Sequence, residues 1–380
     1  MIVAVDQEIP YWNQAFSQFG EIRPFSGRDL KPDKIRDADV LVVRTVTPVN
    51  ASLLEGSSVR FVAAASAGID HIDQAYLQSR GIRFVYAAGS NADSVSEYIV
   101  TALHVIASRK GWDLKKKSIA VIGVGNVGSR VAKKAQALGL RVFLCDPPLR
   151  DSTGDPRYRL FDDVLEADVL SFHVPLSSGG RYPTRHMLDR KVLDRLSPGQ
   201  FLINSSRGAV FNNRELRAAL QERRISGAVL DVWEGEPAID YSLLDLIDIG
   251  TPHIAGSAMD GKIRSTEMVR KQLSEFFGIR STELCASVYP DDESLYPEPG
   301  TSGQEAVRSV LLQAFELLRK DAQLRALGSV PAGEATADFD RLRNEHPLRP
   351  EFRHFIVELG KTHIELAGTF EALGFAVRAE

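Results

Sequence analysis

The sequence predicts an α/β protein with two doubly wound parallel-sheet domains and a small α+β domain at the C-terminus. Short, mostly apolar strands alternate with helical stretches up to about residue 258, and a glycine-rich hexamer follows one of these strands. Strands that are apolar on both faces are typical of parallel sheets covered by helices. A chain of 380 residues is long enough for two or three domains of this kind.

The first domain is expected to span residues 1–92 and to be flavodoxin-like in size. Its predicted strands are short apolar runs bounded by polar residues or glycine. They are Ile2–Val5, Val40–Val43, Phe61–Ala64 and Arg83–Tyr86. A long helix over Lys262–Phe277, within residues 259–280, is expected to pack back onto this domain and complete it.

The second domain is expected to span residues 93–258 and to begin with a helix over Asp93–Arg109. Its predicted strands are Ser118–Ile122, Arg141–Cys145, Val169–Phe172, Phe201–Asn204, Gly227–Leu230 and Ile247–Gly250. Helical composition between them, as in Arg214–Glu222, favours a doubly wound sheet. The chain crosses between the domains near Asn91–Ser94 and Met259–Ile263, where we expect hinges.

The third domain is expected to span residues 286–380. Residues 286–303 are rich in Pro, Gly, Ser and acidic residues, which predicts a linker. An amphipathic stretch over Gln304–Leu327 and strand-like segments near Phe352–Leu359 and Phe375–Arg378 follow. Apolar positions in Val307–Leu318 recur at helical spacing, which suits either an internal core or a dimer interface. We expect this tail to assemble subunits without a catalytic role.

Composition and charge exclude several functional classes. A net charge of −4 and a pI near 6.1 argue against a general nucleic-acid-binding protein. The N-terminus lacks the features of a signal peptide, and no apolar run is long enough to cross a membrane. Two cysteines, Cys145 and Cys285, favour a reducing compartment. We therefore expect a cytoplasmic protein that binds no nucleic acid, membrane or metal.

The glycine-rich hexamer Gly123–Gly128 has the context of a dinucleotide-binding motif. The predicted strand Ser118–Ile122 precedes it, and a predicted helix over Ser129–Leu138 follows it. Asp146 lies 23 residues after Gly123, where a carboxylate accepts hydrogen bonds from ribose hydroxyls and repels a 2′-phosphate. A turn without a cofactor is the alternative, but this context favours a Rossmann domain that binds NAD rather than NADP.

Each residue of the hexamer has an expected role in that site. Gly123 permits a tight turn, Gly125 lets the backbone approach a pyrophosphate, and Gly128 allows close packing of helix and strand. Asn126 and Val127 begin the helix, whose free N–H groups and partial positive charge favour phosphates.

Three residues after later strands have the chemistry that oxidation of a 2-hydroxy acid requires. His253 suits the base that takes the hydroxyl proton, and Glu236 could orient and stabilise its imidazolium. Arg207 offers a permanently charged fork for a carboxylate. Each residue alone could be an ordinary loop residue. Their positions after predicted strands, downstream of the dinucleotide motif, favour a catalytic set.

The same motifs resemble the D-2-hydroxyacid dehydrogenase family across roughly residues 1–280. The resemblance rests on the glycine hexamer, Asp146, the order Arg207-Gly208, Asp231-Val232, Glu236-Pro237 and Pro252-His253, and the segment Ala65–Asp73. Within that family, the sequence resembles most specifically a group of enzymes that act on a phosphorylated 2-hydroxy acid. That comparison rests on Cys145–Pro148, Phe172–Leu176, Asp231–Pro237, Asp338–Arg343, Pro347 and Arg349–Phe352.

The resemblance implies further site residues and a homodimer formed through the C-terminal domain. Residues implied to line the NAD site are Asp146, Val174, Ser205, Ser206, Arg207, Asp231 and Gly256. Thr45 and Ser66 are implied to contact the substrate, and Arg44 could hold its phosphate, as could Lys262 or Arg264. Ser257 stands where the resemblance leads us to expect a tyrosine, so it either donates a shorter hydrogen bond to the substrate or makes no such contact.

Two alternatives stay open at this point. One is a family member that acts on another D-2-hydroxy acid, such as 3-phosphoglycerate. The other is a non-enzymatic NAD-sensing protein that keeps the fold, as some corepressors do. Turnover of a 2-hydroxy acid distinguishes an enzyme from the second alternative.

Overall fold

A computed structural model describes residues 1–284, 293–344 and 348–379. The chain divides into two compact units. Unit 1 comprises Met1–Asn91 and Ala258–Pro290, and unit 2 comprises Ala92–Ser257 and Asp291–Glu380. The proposal that 286–380 is a separate dimerisation domain stays a prediction. Among the described residues, no helix combines the length and apolar character needed to cross a membrane.

Unit 1 is built on a five-stranded parallel sheet of order β2-β1-β3-β4-β5, the flavodoxin-like order. Its strands are β1 (Ile2–Asp6), β2 (Glu21–Phe25), β3 (Val40–Val43), β4 (Phe61–Ala64) and β5 (Arg83–Tyr86). Its helices are α1 (Trp12–Phe16), α2 (Ala51–Leu54), α3 (Gln74–Ser79) and α10 (Met259–Phe277). The sheet confirms the predicted fold class.

Both faces of this sheet are buried, and successive side chains along its strands pack into different apolar cores. Val40 and Val42 of β3 belong to the apolar core that includes Val269 and Leu273 of α10. Leu41 and its neighbours on the other face form a second core. Because successive side chains of a strand point to opposite faces, a strand buried on both sides must be apolar throughout.

Unit 2 begins with α4 (Ala92–Lys110) and contains a seven-stranded parallel sheet of order β12-β11-β10-β9-β6-β7-β8. The strands are β6 (Ser118–Ile122), β7 (Arg141–Cys145), β8 (Tyr158–Arg159), β9 (Val169–Phe172), β10 (Phe201–Asn204), β11 (Gly227–Leu230) and β12 (Ile249–Gly250). The connecting helices are α5 (Asn126–Ala137), α6 (Pro147–Thr153), α7 (Arg190–Leu193), α8 (Asn213–Gln221) and α9 (Tyr241–Leu244). The order reverses between β6 and β9, the arrangement of a Rossmann domain.

The C-terminal part of unit 2 adds a three-stranded parallel sheet, β13 (Glu293–Leu295), β14 (Phe355–Leu359) and β15 (Ala376–Ala379). Its helices are α11 (Gly303–Ala314), α12 (Leu317–Ala326), α13 (Ala332–Asn344) and α14 (Ala367–Leu373). Side chains of α4 and α11 share one apolar core, in which Val310 and Leu311 are fully buried. These positions of the predicted amphipathic stretch therefore face an internal core.

One prediction about this segment was wrong. The predicted linker includes β13, which pairs with β14; residues 286–292 of that linker lie outside the described residues. The amphipathic stretch Gln304–Leu327 contains two helices, α11 and α12, because Phe315 adopts an extended conformation between them. Pro347 and Cys285, cited above, also lie outside the described residues.

Candidate active site

The glycine-rich loop joins β6 to α5 and has no room for side chains at two of its glycines. Gly123 has a φ of 87°, and an added Cβ would lie 2.7 Å from the carbonyl oxygen of His173. A Cβ on Gly128 would lie 1.9 Å from the carbonyl oxygen of Gly123. A Cβ on Gly125 would meet nothing within 4 Å, so the loop is open to a ligand at that glycine. This is the geometry expected of a loop on which a pyrophosphate rests.

The first turn of α5 leaves its amide groups available. Gly125 is the N-cap residue and no side chain caps the helix, so the amides near Asn126 and Val127 lack that side-chain partner. A pyrophosphate satisfies such amides and is stabilised by the helix dipole. The loop therefore fits the phosphates of NAD.

Asp146 follows β7 and is held by two backbone amides. Oδ2 accepts a hydrogen bond from the amide of Val124 at 2.8 Å, and Oδ1 accepts one from Leu149 at 3.0 Å. A carboxylate oxygen has two lone pairs, so each oxygen of Asp146 can still accept a hydrogen bond from a hydroxyl group. The residue is thus compatible with binding the ribose hydroxyls.

Val174 and His173, at the end of β9, lie beside the loop. The side chain of Val174 would be 2.9 Å from a Cβ on Gly123. His173 Nε2 lies 2.9 Å from Ser171 Oγ, and Nδ1 lies 3.4 Å from Ser205 Oγ. Burial lowers the pKa of His173 to about 3, so its imidazole is neutral near pH 7. His173 was used above only for the resemblance, and its place beside the predicted NAD residue Ser205 was missed.

The loop after β10 presents Arg207. Asn204 organises this loop: its Nδ2 donates to the Arg207 carbonyl at 3.0 Å, and its Oδ1 accepts from the amide and hydroxyl of Ser206. A Cβ on Gly208 would lie 2.0 Å from the carbonyl carbon and oxygen of Trp233. Only glycine allows the Arg207 loop to approach the loop after β11 this closely.

The loop after β11 brings Glu236 to His253. His253 Nδ1 lies 2.7 Å from Glu236 Oε2, and Glu236 Oε1 accepts a hydrogen bond from the amide of Trp233 at 2.8 Å. Burial opposes ionisation of Glu236, but His253 and the hydrogen bonds prevail and lower the pKa of this carboxyl below its usual range. His253 has a φ of 57°, a conformation that is uncommon for residues other than glycine.

Asp231 lies beneath the His253 loop and is buried. Oδ1 accepts hydrogen bonds from Thr251 Oγ1 and the amide of Ile254, and Oδ2 accepts one from the amide of Ala255. Burial raises the pKa of Asp231, although His253 and the three donors act in the opposite direction. The structure thus gives Asp231 a part in shaping the loop that carries His253 and Gly256, and its role in binding NAD stays a prediction.

A pocket in unit 2 collects these catalytic candidates. Arg207, Glu236 and His253 all line it, together with Arg185 and Glu234. The side chains of His253 and Glu236 are 26% and 15% exposed, so a small molecule can reach the pair although it is mostly desolvated. Arg185 follows no strand and belongs to no motif used above, which is why it was missed.

One further charged side chain close to this pair was missed. Arg343, in the last turn of α13, has Nη1 3.6 Å from Glu236 Oε2. It lies 107 positions after Glu236 in the chain, and no local motif links the two.

The predicted substrate residues of unit 1 lie at the carboxyl ends of adjacent parallel strands. Arg44 and Thr45 follow β3, and Ser66 follows β4, where its hydroxyl donates to the Gly68 carbonyl at 2.9 Å. Arg44 Nε lies 2.9 Å from Oδ2 of the buried Asp6. In unit 2, the amide of Ser257 donates to the Ile254 carbonyl at 2.8 Å.

Lys262, near the start of α10, belongs to the same charged cluster of unit 1. Burial, and then the guanidinium of Arg44, lower the pKa of its ammonium, while Glu8 acts in the opposite direction. Arg264, the other basic candidate on α10, donates to the carbonyl of Ser90. The Arg44 guanidinium is thus near enough to Lys262 to disfavour the charged form of its ammonium.

Comparison with known proteins gives the same family from two directions. The family model described as D-isomer specific 2-hydroxyacid dehydrogenase, NAD binding domain, matches residues 96–255. The chain is 40% identical over 354 residues to erythronate-4-phosphate dehydrogenase of Proteus mirabilis, with 93% of each chain covered. It is 41% identical over 381 residues to the enzyme of that name from Chromohalobacter salexigens, with 100% of this chain and 99% of the relative covered.

A solved structure shares the fold. D-lactate dehydrogenase from Aquifex aeolicus, crystallised with NAD and lactic acid, matches with a TM-score of 0.62 and 24% sequence identity. The match covers 73% of this chain and 96% of that one. At this identity the likeness supports the fold and carries no argument about the substrate.

Proposed function

This chain belongs to the erythronate-4-phosphate dehydrogenase family of D-2-hydroxyacid dehydrogenases, and we propose that it carries out the reaction for which those relatives are named. The enzyme oxidises 4-phospho-D-erythronate to 3-hydroxy-2-oxo-4-phosphooxybutanoate in the biosynthesis of pyridoxal 5′-phosphate. The observation that carries this conclusion is full-length identity near 40%, and the Glu236–His253 pair beside Arg207 supplies the chemistry.

NAD is the cofactor, and when bound it accepts the hydride that leaves C2 of the substrate. Its pyrophosphate fits the open loop at Gly125 and the uncapped start of α5. Its ribose hydroxyls can donate hydrogen bonds to the remaining lone pairs of Asp146. Asp146 also repels a 2′-phosphate, which favours NAD over NADP.

His253 is proposed to take the hydroxyl proton of the substrate. Because Nδ1 faces the carboxylate of Glu236, the neutral imidazole carries its proton on Nδ1 and keeps a lone pair on Nε2. Nε2 is therefore the base. Glu236 fixes the ring and stabilises the imidazolium that forms, since its pKa is lowered and it stays ionised near pH 7.

Arg207 is proposed to bind the carboxylate of the substrate and the carbonyl oxygen that develops at C2. Its Nη1 donates to the carbonyl of Ser206 at 2.8 Å, which fixes the side chain in the pocket. A guanidinium presents several N–H donors in one plane, a geometry that matches the two oxygens of a carboxylate.

Arg44 and Lys262 are the proposed ligands of the substrate phosphate, and Thr45, Ser66 and Ser257 the further substrate contacts. The desolvated ammonium of Lys262 beside the Arg44 guanidinium makes this cluster of unit 1 suitable for a dianion. Arg264 is a weaker candidate, because it already donates to a backbone carbonyl.

Two further parts of the proposal concern the setting of the enzyme. We propose a homodimer formed through residues 286–380, supported by the family resemblance of Asp338–Arg343 and Arg349–Phe352. We also propose a cytoplasmic location, where a reducing environment suits the buried free thiol of Cys145.

The decisive experiment compares kcat/KM for 4-phosphoerythronate and for 3-phosphoglycerate with NAD, with a 2-oxo acid present to reoxidise NADH. We expect a strong preference for 4-phosphoerythronate and no turnover by a His253→Ala control. Preference for 3-phosphoglycerate would overturn the substrate while keeping the family. Absence of turnover with both compounds would favour an NAD-sensing protein.

A further inference from the structure

The last turn of α13, a helix of the C-terminal segment, lies close to Glu236, which lines the catalytic pocket of unit 2. Arg343 Nη1, in its last turn, lies 3.6 Å from Glu236 Oε2, the oxygen that also faces His253 Nδ1 at 2.7 Å. The other oxygen, Oε1, accepts the Trp233 amide. The carboxylate is therefore held from three sides, by a backbone amide, an imidazole and a guanidinium.

The helix is fixed to the loop that carries Glu236. Phe339 and Ala335 of α13 are buried in the same apolar core as Trp233 and Ile239, which flank Glu236 in the chain. Leu342, the neighbour of Arg343, packs against that core. Because helix and loop share this core, the guanidinium is held close to the carboxylate.

The charged groups that face the pair come from several elements. Arg207 and Arg185 line the pocket, and Asp231 lies beneath the His253 loop. Glu234 lies on the same loop as Glu236, but His186 Nε2 and the amide of Asn213 already occupy its two oxygens. Among the ion pairs of the described residues, Glu236 has two partners, His253 and Arg343.

We propose that Arg343 is a positioning residue for the Glu236–His253 pair, holding the carboxylate ionised and turned toward the imidazole. The inference rests on the proposed roles of Glu236 and His253. It extends them to the C-terminal segment, which we expected only to assemble subunits. The positive charge of Arg343 lowers the pKa of Glu236, as the charge of His253 does.

The sign of the effect follows from electrostatics. A nearby cation disfavours protonation of the pair, so loss of the Arg343 charge lets the pair take up a proton at higher pH. Oxidation of the substrate needs an ionised Glu236 and a neutral His253, whose Nε2 carries no proton. The low-pH limb of the kcat/KM profile of Arg343→Gln should therefore move to higher pH by about 0.5 unit or more. At a fixed pH on that limb, this shift lowers kcat/KM by about threefold.

The test compares Arg343→Gln with two controls that keep its surroundings. Arg343→Lys keeps the charge, and Arg341→Gln removes an arginine of the same helix that pairs with Asp338 at 3.0 Å instead. Both controls should stay within about 0.2 unit of the wild-type profile. A fall in kcat of Arg343→Gln without a shift of the limb, or equal shifts in all three variants, would overturn the proposal.

A second readout does not depend on turnover. The ring protons of His253 report the titration of the pair by NMR, and comparison with His253→Asn assigns them among the eight histidines of the chain. The titration midpoint should rise in Arg343→Gln and not in Arg341→Gln; an unchanged midpoint refutes the role of Arg343. If the wild type does not turn over 4-phosphoerythronate, the proposed function fails, while this titration still decides the role of Arg343.

Discussion

Asp146 accepts a hydrogen bond from the amide of Val124 at 2.8 Å, which ties the carboxylate after β7 to the glycine-rich loop after β6. The same side chain caps α6 through the amide of Leu149. The residue proposed to bind ribose therefore also orders the loop proposed to hold the pyrophosphate. Its removal should affect cofactor affinity, cofactor choice and local stability together.

Asp146→Ala should weaken NAD binding by about tenfold, because hydrogen bonds to a charged group contribute about 1.5–3 kcal/mol and water replaces part of them. Rejection of NADP should also relax, since the charge that repels the 2′-phosphate is gone. Fluorescence titration with both cofactors measures each effect. Asp189→Ala, which removes a similar cap from α7, is the control for stability alone. Unchanged cofactor preference in Asp146→Ala would exclude the proposed contact.

Gly208→Ala should lower both stability and activity. A Cβ at this position would lie 2.0 Å from the backbone of Trp233, and backbone atoms cannot move aside as a flexible side chain can. We expect a loss of about 1–3 kcal/mol in the free energy of unfolding, with a displaced Arg207 loop and reduced kcat/KM.

Gly199→Ala is the matched control for Gly208→Ala, because a Cβ on Gly199 meets nothing within 4 Å. Denaturant unfolding and steady-state kinetics measure the two losses. A Gly208→Ala enzyme as stable and active as Gly199→Ala would show that the two loops need not approach so closely.

Burial of His104 should make the protein less stable in mild acid. Burial lowers the pKa of His104 to about 4, and Nδ1 lies 2.9 Å from the carbonyl oxygen of Val100. Below pH 6.5 the unfolded chain binds a proton at this residue that the folded chain does not bind until about pH 4. The contribution of neutral His104 to the free energy of unfolding is thus fully present above pH 6.5. It decreases as the pH falls, by about 2 kcal/mol at pH 5.

Urea unfolding of His104→Leu at pH 7 and pH 5 measures this contribution. The difference in unfolding free energy between the two pH values should be smaller than in the wild type by about 2 kcal/mol. An equal difference in both proteins would mean that His104 takes up its proton in the folded state.

Much of the fold could be predicted because buried parallel strands leave a strong local signal. Val40–Val43 and Phe61–Ala64 are apolar throughout, and the structure gives both strands the predicted bounds. β2 contains Glu21, Arg23 and Pro24 and is partly exposed at the edge of its sheet, so it has no such signal. β8 is only two residues long, Tyr158–Arg159, so it also lacks an apolar run by which it could be predicted.

The candidate site divides along the same line. Arg207, Glu236 and His253 follow predicted strands, so their convergence could be predicted from the rule that strand ends share one edge of a sheet. Arg343 comes from a helix that was not predicted, and its approach to Glu236 depends on packing of Phe339 in a distant core. Contacts set by tertiary packing over long separations have no signature in a single sequence.

His253→Ala should lower kcat by about 10²–10⁴-fold and leave the dissociation constant of NAD nearly unchanged, because the imidazole acts on the substrate proton and the cofactor is held by the glycine-rich loop. His186→Ala is a closely matched control. His186 also has a positive φ, 50° against 57°, and its Nε2 lies 2.6 Å from Glu234 Oε1.

Loss of either histidine removes an imidazole–carboxylate pair from a left-handed loop position, so the structural cost of the two substitutions should be similar. Only His253, however, keeps its Nε2 lone pair for a substrate in the pocket, since the Nε2 of His186 faces Glu234. Single-turnover kinetics and NAD titration should therefore separate the variants by kcat alone. Equal losses of kcat, or a parallel loss of NAD affinity in His253→Ala, would show that His253 shapes the loop and is not the base.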